Sequence, residues 1–146
     1  MKIIVSACLL GINCKYNGGN NISEKLSALA EGNELIPVCP EVLGGLPVPR
    51  TPSEIRNGVV ISKDGTVVDE AFRRGAAAAL DIALQNGAGL AVLQSRSPSC
   101  GPKEIYDGTF SGRRIPGMGV FAALLRENGI RVIDIEDLDP SGLSGK

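Results

Sequence analysis

The sequence contains no histidine and no tryptophan, and only 3% of its 146 residues are aromatic. Without imidazole, a metal site has to be built from thiolates and carboxylates, and a general base has to be some other group. Few aromatic rings leave little material for stacking platforms on nucleic acid. Charge of one sign is missing too: 15 basic and 16 acidic residues give a net charge of −1, and no long Lys/Arg run occurs. The electrostatic footprint of an autonomous DNA or RNA binder is therefore absent, and a small-molecule partner is expected. The apolar stretches are strand-length or broken by charge, so no membrane association is expected. Met1 leads directly into a strand pattern with no signal-peptide character, which implies a cytoplasmic protein. The four cysteines, Cys8, Cys14, Cys39 and Cys100, form no CxxC pair. Zinc-finger and thioredoxin-like readings lose their support, and a reducing compartment argues against disulfides.

What is present is the composition of an ordinary globular protein, 43% hydrophobic and 21% charged. The length fits one domain with its own core, assigned to residues 1–138, followed by a Gly/Ser/Pro-rich, frayed tail over 139–146. Residues 1–5, 34–38, 89–93 and 130–135 are apolar runs rich in Ile, Val and Leu. Such runs suit strands buried on both faces. Helical patterns lie between them: a short one over 22–30 with Ser23 as N-cap, a long one over 69–86 ending before Gly87, and a third over 119–128 closed by Gly129. Alternating strands and helices predict an α/β fold, a Rossmann-like parallel sheet with helices on both faces. Residues 58–69, "GVVISKDGTVVD", place Asp64-Gly65 between β-branched runs and predict a small inserted β-hairpin turning there.

Cys8, Cys39 and Cys100 each follow an apolar strand and adjoin Gly or Pro breakers, in "KIIVSAC", "ELIPVCPE" and "LAVLQSRSPSCG". In an open parallel sheet the carboxyl ends of the strands border the ligand crevice, so residues about 30 and about 60 positions apart can converge there. The plainer reading is three independent buried thiols acting as small hydrophobes. Matching topological positions favour one shared site. Three thiolates without histidine suit an iron–sulfur cubane with one iron left open, and a Cys₃ or Cys₄ zinc site is the alternative. Cys14 lies in a loop instead of at a strand end, and suits a fourth ligand, a lid residue or filler equally.

The motifs "SACLLGINCKYNGG", "CPEVLGGLPVPR" and "SRSPSCGP" resemble a bacterial domain family that includes the thiouracil desulfidases. The resemblance runs from Lys2 to about Asp137. It implies a [4Fe-4S] cluster held by Cys8, Cys39 and Cys100, whose open iron takes the sulfur removed from the substrate and makes the site oxygen-labile. It further implies Glu41 as catalytic acid/base, Ser97 as the second catalytic residue and Ser99 as a helper. The reaction implied is a non-redox, hydrolytic desulfuration of a thiolated pyrimidine to its oxo form, with release of hydrogen sulfide. Larger relatives append a further domain, which this chain lacks, so a large RNA substrate is not expected.

Further residues have two readings each. Arg50 suits balancing cluster charge or holding substrate as well as simple exposure. Gly117 and Gly119 in "PGMGVF" suit a substrate-binding helix start or an ordinary one. Tyr16, with Asn20 and Asn21, suits a polar lid or a set of turn residues. Arg113 and Arg114 read as a solvated pair. For Glu41 and Ser97 the residues alone suggest a helix cap and a local backbone hydrogen bond, and it is the resemblance that points to catalysis. Two other functions stay open: a non-catalytic cluster-binding or sulfide-sensing protein, and a Rossmann-like small-molecule binder with incidental cysteines.

Overall fold

The computed structural model describes residues 1–139. Four parallel strands form the main sheet: β1 (Lys2–Ser6), β2 (Glu34–Val38), β5 (Leu90–Leu93) and β8 (Arg131–Asp134), in the order β2-β1-β5-β8. Ile4 of β1 stands opposite Ile36 on one side and Ala91 on the other, so β1 is central. The order reverses beside β1, because the chain moves outward to β2 and then returns past β1 to β5. This is the switch point at which a crevice opens beyond the strands' carboxyl ends.

Side chains alternate across this sheet with period two. Ile4, Ala91 and Leu93 face a layer formed by α3 (Asp69–Gln85) and α4 (Val120–Glu127), where Phe72, Ala76, Ala79, Phe121 and Leu125 are fully buried. Ile3, Val5, Leu90 and Val92 face the opposite layer, built from α1 (Leu26–Ala30) and two short 3-10 turns, Ala7–Leu10 and Ile135–Asp137. Helices thus cover both faces, as the sequence pattern predicts. No helix among the described residues is long and apolar enough to cross a membrane.

A short helix, α2 (Pro40–Leu43), follows β2 directly and rests backbone to backbone on α3. A Cβ added to Gly75 would lie 1.7 Å from the Pro40 carbonyl oxygen, and one on Gly44 would lie 2.0 Å from that of Ala71. Only glycine permits this approach. Arg74 fastens the contact by donating from Nη2 to the Gly44 carbonyl at 2.7 Å.

Two expectations need correction. The inserted hairpin pairs β3 (Ser53–Arg56) with β4 (Val59–Ser62), and its turn is Asn57-Gly58, both residues with positive φ, not Asp64-Gly65. Asn-Gly is the stronger two-residue hairpin signal because both positions must enter the left-handed region. Asp64-Gly65 makes a subsidiary turn in which Asp64 accepts the Thr66 amide at 3.0 Å, and Ile61 and Val67 form an isolated bridge. The first helix is also shorter than expected, starting at Leu26, and Ser23 does not cap it. Instead the Ser23 amide bonds to the Leu9 carbonyl at 3.0 Å, which ties this segment to the first 3-10 turn. A second hairpin, β6 (Glu104–Tyr106) with β7 (Arg114–Pro116), was not visible in the sequence pattern. The expected frayed tail, apart from Asp139, lies outside the described residues.

Candidate active site

The ends of β1, β2 and β5 open onto one cavity of about 560 Å³. Cys8 enters it from the 3-10 turn after β1, Cys39 from the residue preceding α2, and Cys100 from the loop after β5. Cys14 reaches the same cavity from its loop. All four are free thiols, and Cys8, Cys14 and Cys100 are buried. Burial pushes the Cys8 thiol up to about 11, with Cys39 nearby adding to the effect. Burial and then Cys39 push Cys14 up to about 12, and burial raises Cys100 strongly. Asn21 turns its side-chain amide toward Cys8 Sγ at 4.0 Å, and Cys39 Sγ faces the Cys14 carbonyl at 3.8 Å.

Cys8, Cys14 and Cys100 therefore have little tendency to ionise by themselves, and a bound cationic group would supply the missing charge. Soft sulfur donors in a chain without imidazole suit iron–sulfur ligation. Among the described residues no group of three or more His, Cys, Asp or Glu side chains is arranged to hold a metal ion. The chemistry of the donor set fits a cubane.

Glu41 lies in the first turn of α2, two residues past Cys39, and its side chain is 15% exposed. Arg50, with a side chain 8% exposed, holds it from one side, donating to Glu41 Oε1 from Nε at 3.1 Å and from Nη2 at 3.0 Å. The same guanidinium donates to the carbonyls of Cys14 at 2.9 Å and Pro47 at 3.0 Å. Arg50 is therefore a buried clamp on Glu41 and the Cys14 loop, a planar fork used on all its edges.

On its other oxygen, Oε2, Glu41 accepts the Ser99 hydroxyl at 2.8 Å. Ser99 is almost fully buried and its Oγ lies 3.0 Å from that of Ser97. Ser97 Oγ also accepts the amides of Ser99 at 3.1 Å and Cys100 at 3.0 Å. Those two donors occupy its lone pairs, so Ser97 is the donor to Ser99 and Ser99 the donor to Glu41. The local backbone hydrogen bond expected for Ser97 is present, and Ser97 is linked to Glu41 through Ser99. The direct partner of Glu41 is Ser99, the residue given the lesser role from sequence.

Tyr16 lines the cavity as well, and its carbonyl accepts the Arg50 amide at 2.7 Å. Gly117 and Gly119 are not among the cavity-lining residues: their amides bond to the carbonyls of Lys103 at 3.0 Å and Gly101 at 2.8 Å. A Cβ on Gly119 would sit 2.5 Å from the Ser99 carbonyl, so this glycine lets α4 close onto the cysteine loop. Arg113 and Arg114 are exposed, as expected of a solvated pair. Ser6, Glu54, Tyr106 and Phe110 also border the cavity, and none of them was singled out in the sequence. Ser6 could have been suspected from its place two residues before Cys8, where it accepts the Gln94 amide at 2.9 Å and joins the ends of β1 and β5.

Comparison with known proteins identifies the family and the fold. Residues 3–137 match the model of the 2-thiouracil desulfurase family. The chain is 42% identical over 147 residues to the uncharacterized protein YbbK of Bacillus subtilis (strain 168), covering 94% of this chain and 97% of that protein. It superposes on the structure of the [4Fe-4S]-dependent thiouracil desulfidase TudS with a TM-score of 0.88 and 46% identity, covering 94% of this chain and 92% of that one. With the match spanning nearly all of the described residues, the chain belongs to the 2-thiouracil desulfurase family, enzymes that act on a carbon–sulfur bond.

Proposed function

We propose that this protein removes sulfur from a thiolated pyrimidine, exchanging the ring's C=S for C=O with water and releasing hydrogen sulfide. Cys8, Cys39 and Cys100 are the residues that would hold a [4Fe-4S] cluster. When bound there, the cluster supplies an iron corner without a protein ligand, a Lewis acid for a thione sulfur. The remaining work falls to the chain's own groups. Glu41 accepts a proton from the attacking water, and Arg50 keeps its carboxyl group from rotating away. Ser97 and Ser99 form a hydroxyl chain that ends on Glu41 Oε2, so that oxygen stays oriented while the other is clamped. No external electron donor or acceptor is needed, because water and hydrogen sulfide balance the exchange.

The observation that carries this reading is the placement of Glu41: it borders the same cavity as the three strand-end cysteines and is fixed on both oxygens. The test is turnover of 2-thiouracil by anaerobically reconstituted protein, with uracil and sulfide measured together. Glu41→Ala is expected to keep the cluster's visible absorption and to lose at least about 100-fold in kcat, the usual scale for a general base. Equal sulfide release by this variant and the parent would contradict a catalytic role. A cluster-binding or sulfide-sensing protein would show no turnover in either.

A further inference from the structure

The sequence has five aromatic residues, three Phe and two Tyr, and the fold separates them by place. Phe72 and Phe121 are fully buried in the layer between the main sheet and α3 and α4. Tyr16, Tyr106 and Phe110 all border the cavity that gathers the cysteines and Glu41. Every ring not used in the core is therefore at the site. An aromatic ring offers a flat polarisable face that aliphatic side chains lack, and a planar heterocycle stacks on it whatever its substituents. Tyr106 is engaged with Arg96, and Tyr16 is 45% exposed. Phe110 has no polar atom, so its ring is all it has to offer.

The chain also makes a specific arrangement to place Phe110. Its φ is +57°, in the left-handed region that bulky residues seldom enter. Glu54 on β3 compensates: its Oε1 accepts the amides of Gly108 at 3.0 Å and Phe110 at 3.1 Å. Arg56, two positions along the same strand, donates from Nε to the Gly108 carbonyl at 2.9 Å. A Cβ on Gly108 would lie 2.5 Å from Arg56 Cβ, so the loop between β6 and β7 lies directly on β3. One hairpin thus clasps the other, and the clasp fixes the residue that carries the ring.

We propose that Phe110 is the ring-stacking, specificity-determining residue for a planar heterocyclic substrate, with Glu54 as the residue that positions it across the two hairpins. This rests on the reaction proposed above and assigns the part of the cavity that recognises the ring. Phe110→Ala is expected to raise KM for 2-thiouracil about tenfold, with kcat changed less than about threefold, in keeping with the loss of one base–aromatic stack. Phe110→Trp is expected to restore KM. Since the chain has no tryptophan, that variant carries a single indole, whose emission should be quenched by uracil in the absence of turnover.

Glu54→Ala is expected to raise KM as Phe110→Ala does, while the double variant rises no further than Phe110→Ala alone. Glu54→Gln retains an oxygen acceptor for the two amides and should return KM toward the parent value. Iron content and the thermal midpoint, measured for each variant, register any loss of cluster or fold. An unchanged KM in Phe110→Ala, or indole emission indifferent to uracil, would overturn the assignment while leaving the desulfuration reading intact. If the cluster-loaded parent fails to turn over 2-thiouracil, that reading fails instead, and the emission titration still decides: quenching supports stacking at Phe110 and its absence refutes it.

Discussion

Glu41 shows how much of this site depends on contacts between residues distant in sequence. Its two oxygens serve different partners, Arg50 on one and Ser99 on the other, so disturbing either side is predicted to have its own signature. Arg50→Lys removes the fork, since an ammonium cannot bond Glu41, Cys14 and Pro47 together. It is predicted to lower kcat by about tenfold or more with the iron content retained, and steady-state kinetics beside iron analysis would check this. Ser99→Ala removes a hydrogen bond to a carboxyl group, about 1.5–3 kcal/mol, and is predicted to lower kcat by about tenfold to about 100-fold. A Ser97→Ala variant with the larger loss would show that the relay order inferred from the lone pairs is wrong. The resemblance to the desulfidase family pointed to Glu41, Ser97 and Ser99, which lie near cysteines in two of the three motifs. It could not show that Arg50 turns back onto Glu41, because that depends on the path of the 44–50 loop and on side-chain rotamers, which no local pattern encodes.

At the level of elements, the contact of α2 with α3 decides where Glu41 stands. Gly75→Ala would drive a methyl group into the Pro40 carbonyl, and the helices must separate to accommodate it. Overpacking of this kind costs about 3 kcal/mol, which at this chain length lowers the thermal midpoint by about 10 °C. Calorimetry should show that drop, with activity falling as α2 moves; a midpoint shift below about 2 °C would contradict the close approach. The main-sheet strands were legible because burial on both faces leaves unbroken apolar runs, and the long helix because its small residues recur on one face. Glycine at 75 was not legible as a contact point, since a helical glycine gives no hint of what it touches. The hairpin turn was misplaced even though its signal was present: "IRNGVV" contains Asn-Gly, and the competing Asp-Gly lay between equally β-branched residues. The β6–β7 hairpin is three residues a side, too short for alternation to stand out.

Across the whole molecule, parallel order is what turns three separate cysteines into one site. Because β1, β2 and β5 are adjacent and point the same way, the residues after them share an edge, so this convergence could be inferred from topology alone. Gathering of all the non-core aromatic rings at the same edge could not, because two of them arrive on a hairpin absent from the sequence pattern. A group that bridges three strand ends should also stabilise the fold. Cluster binding at a hundred times its dissociation constant adds about 2.7 kcal/mol, or about 8 °C in the thermal midpoint, and removing iron with a chelator is predicted to reverse it. Iron and acid-labile sulfide per chain, measured after anaerobic reconstitution of the parent and the four single Cys→Ser variants, would test the central claim most directly. About four of each are expected for the parent and for Cys14→Ser, and a large loss for Cys8→Ser, Cys39→Ser and Cys100→Ser. A parent without iron, or full loading after the loss of any of those three thiols, would contradict it.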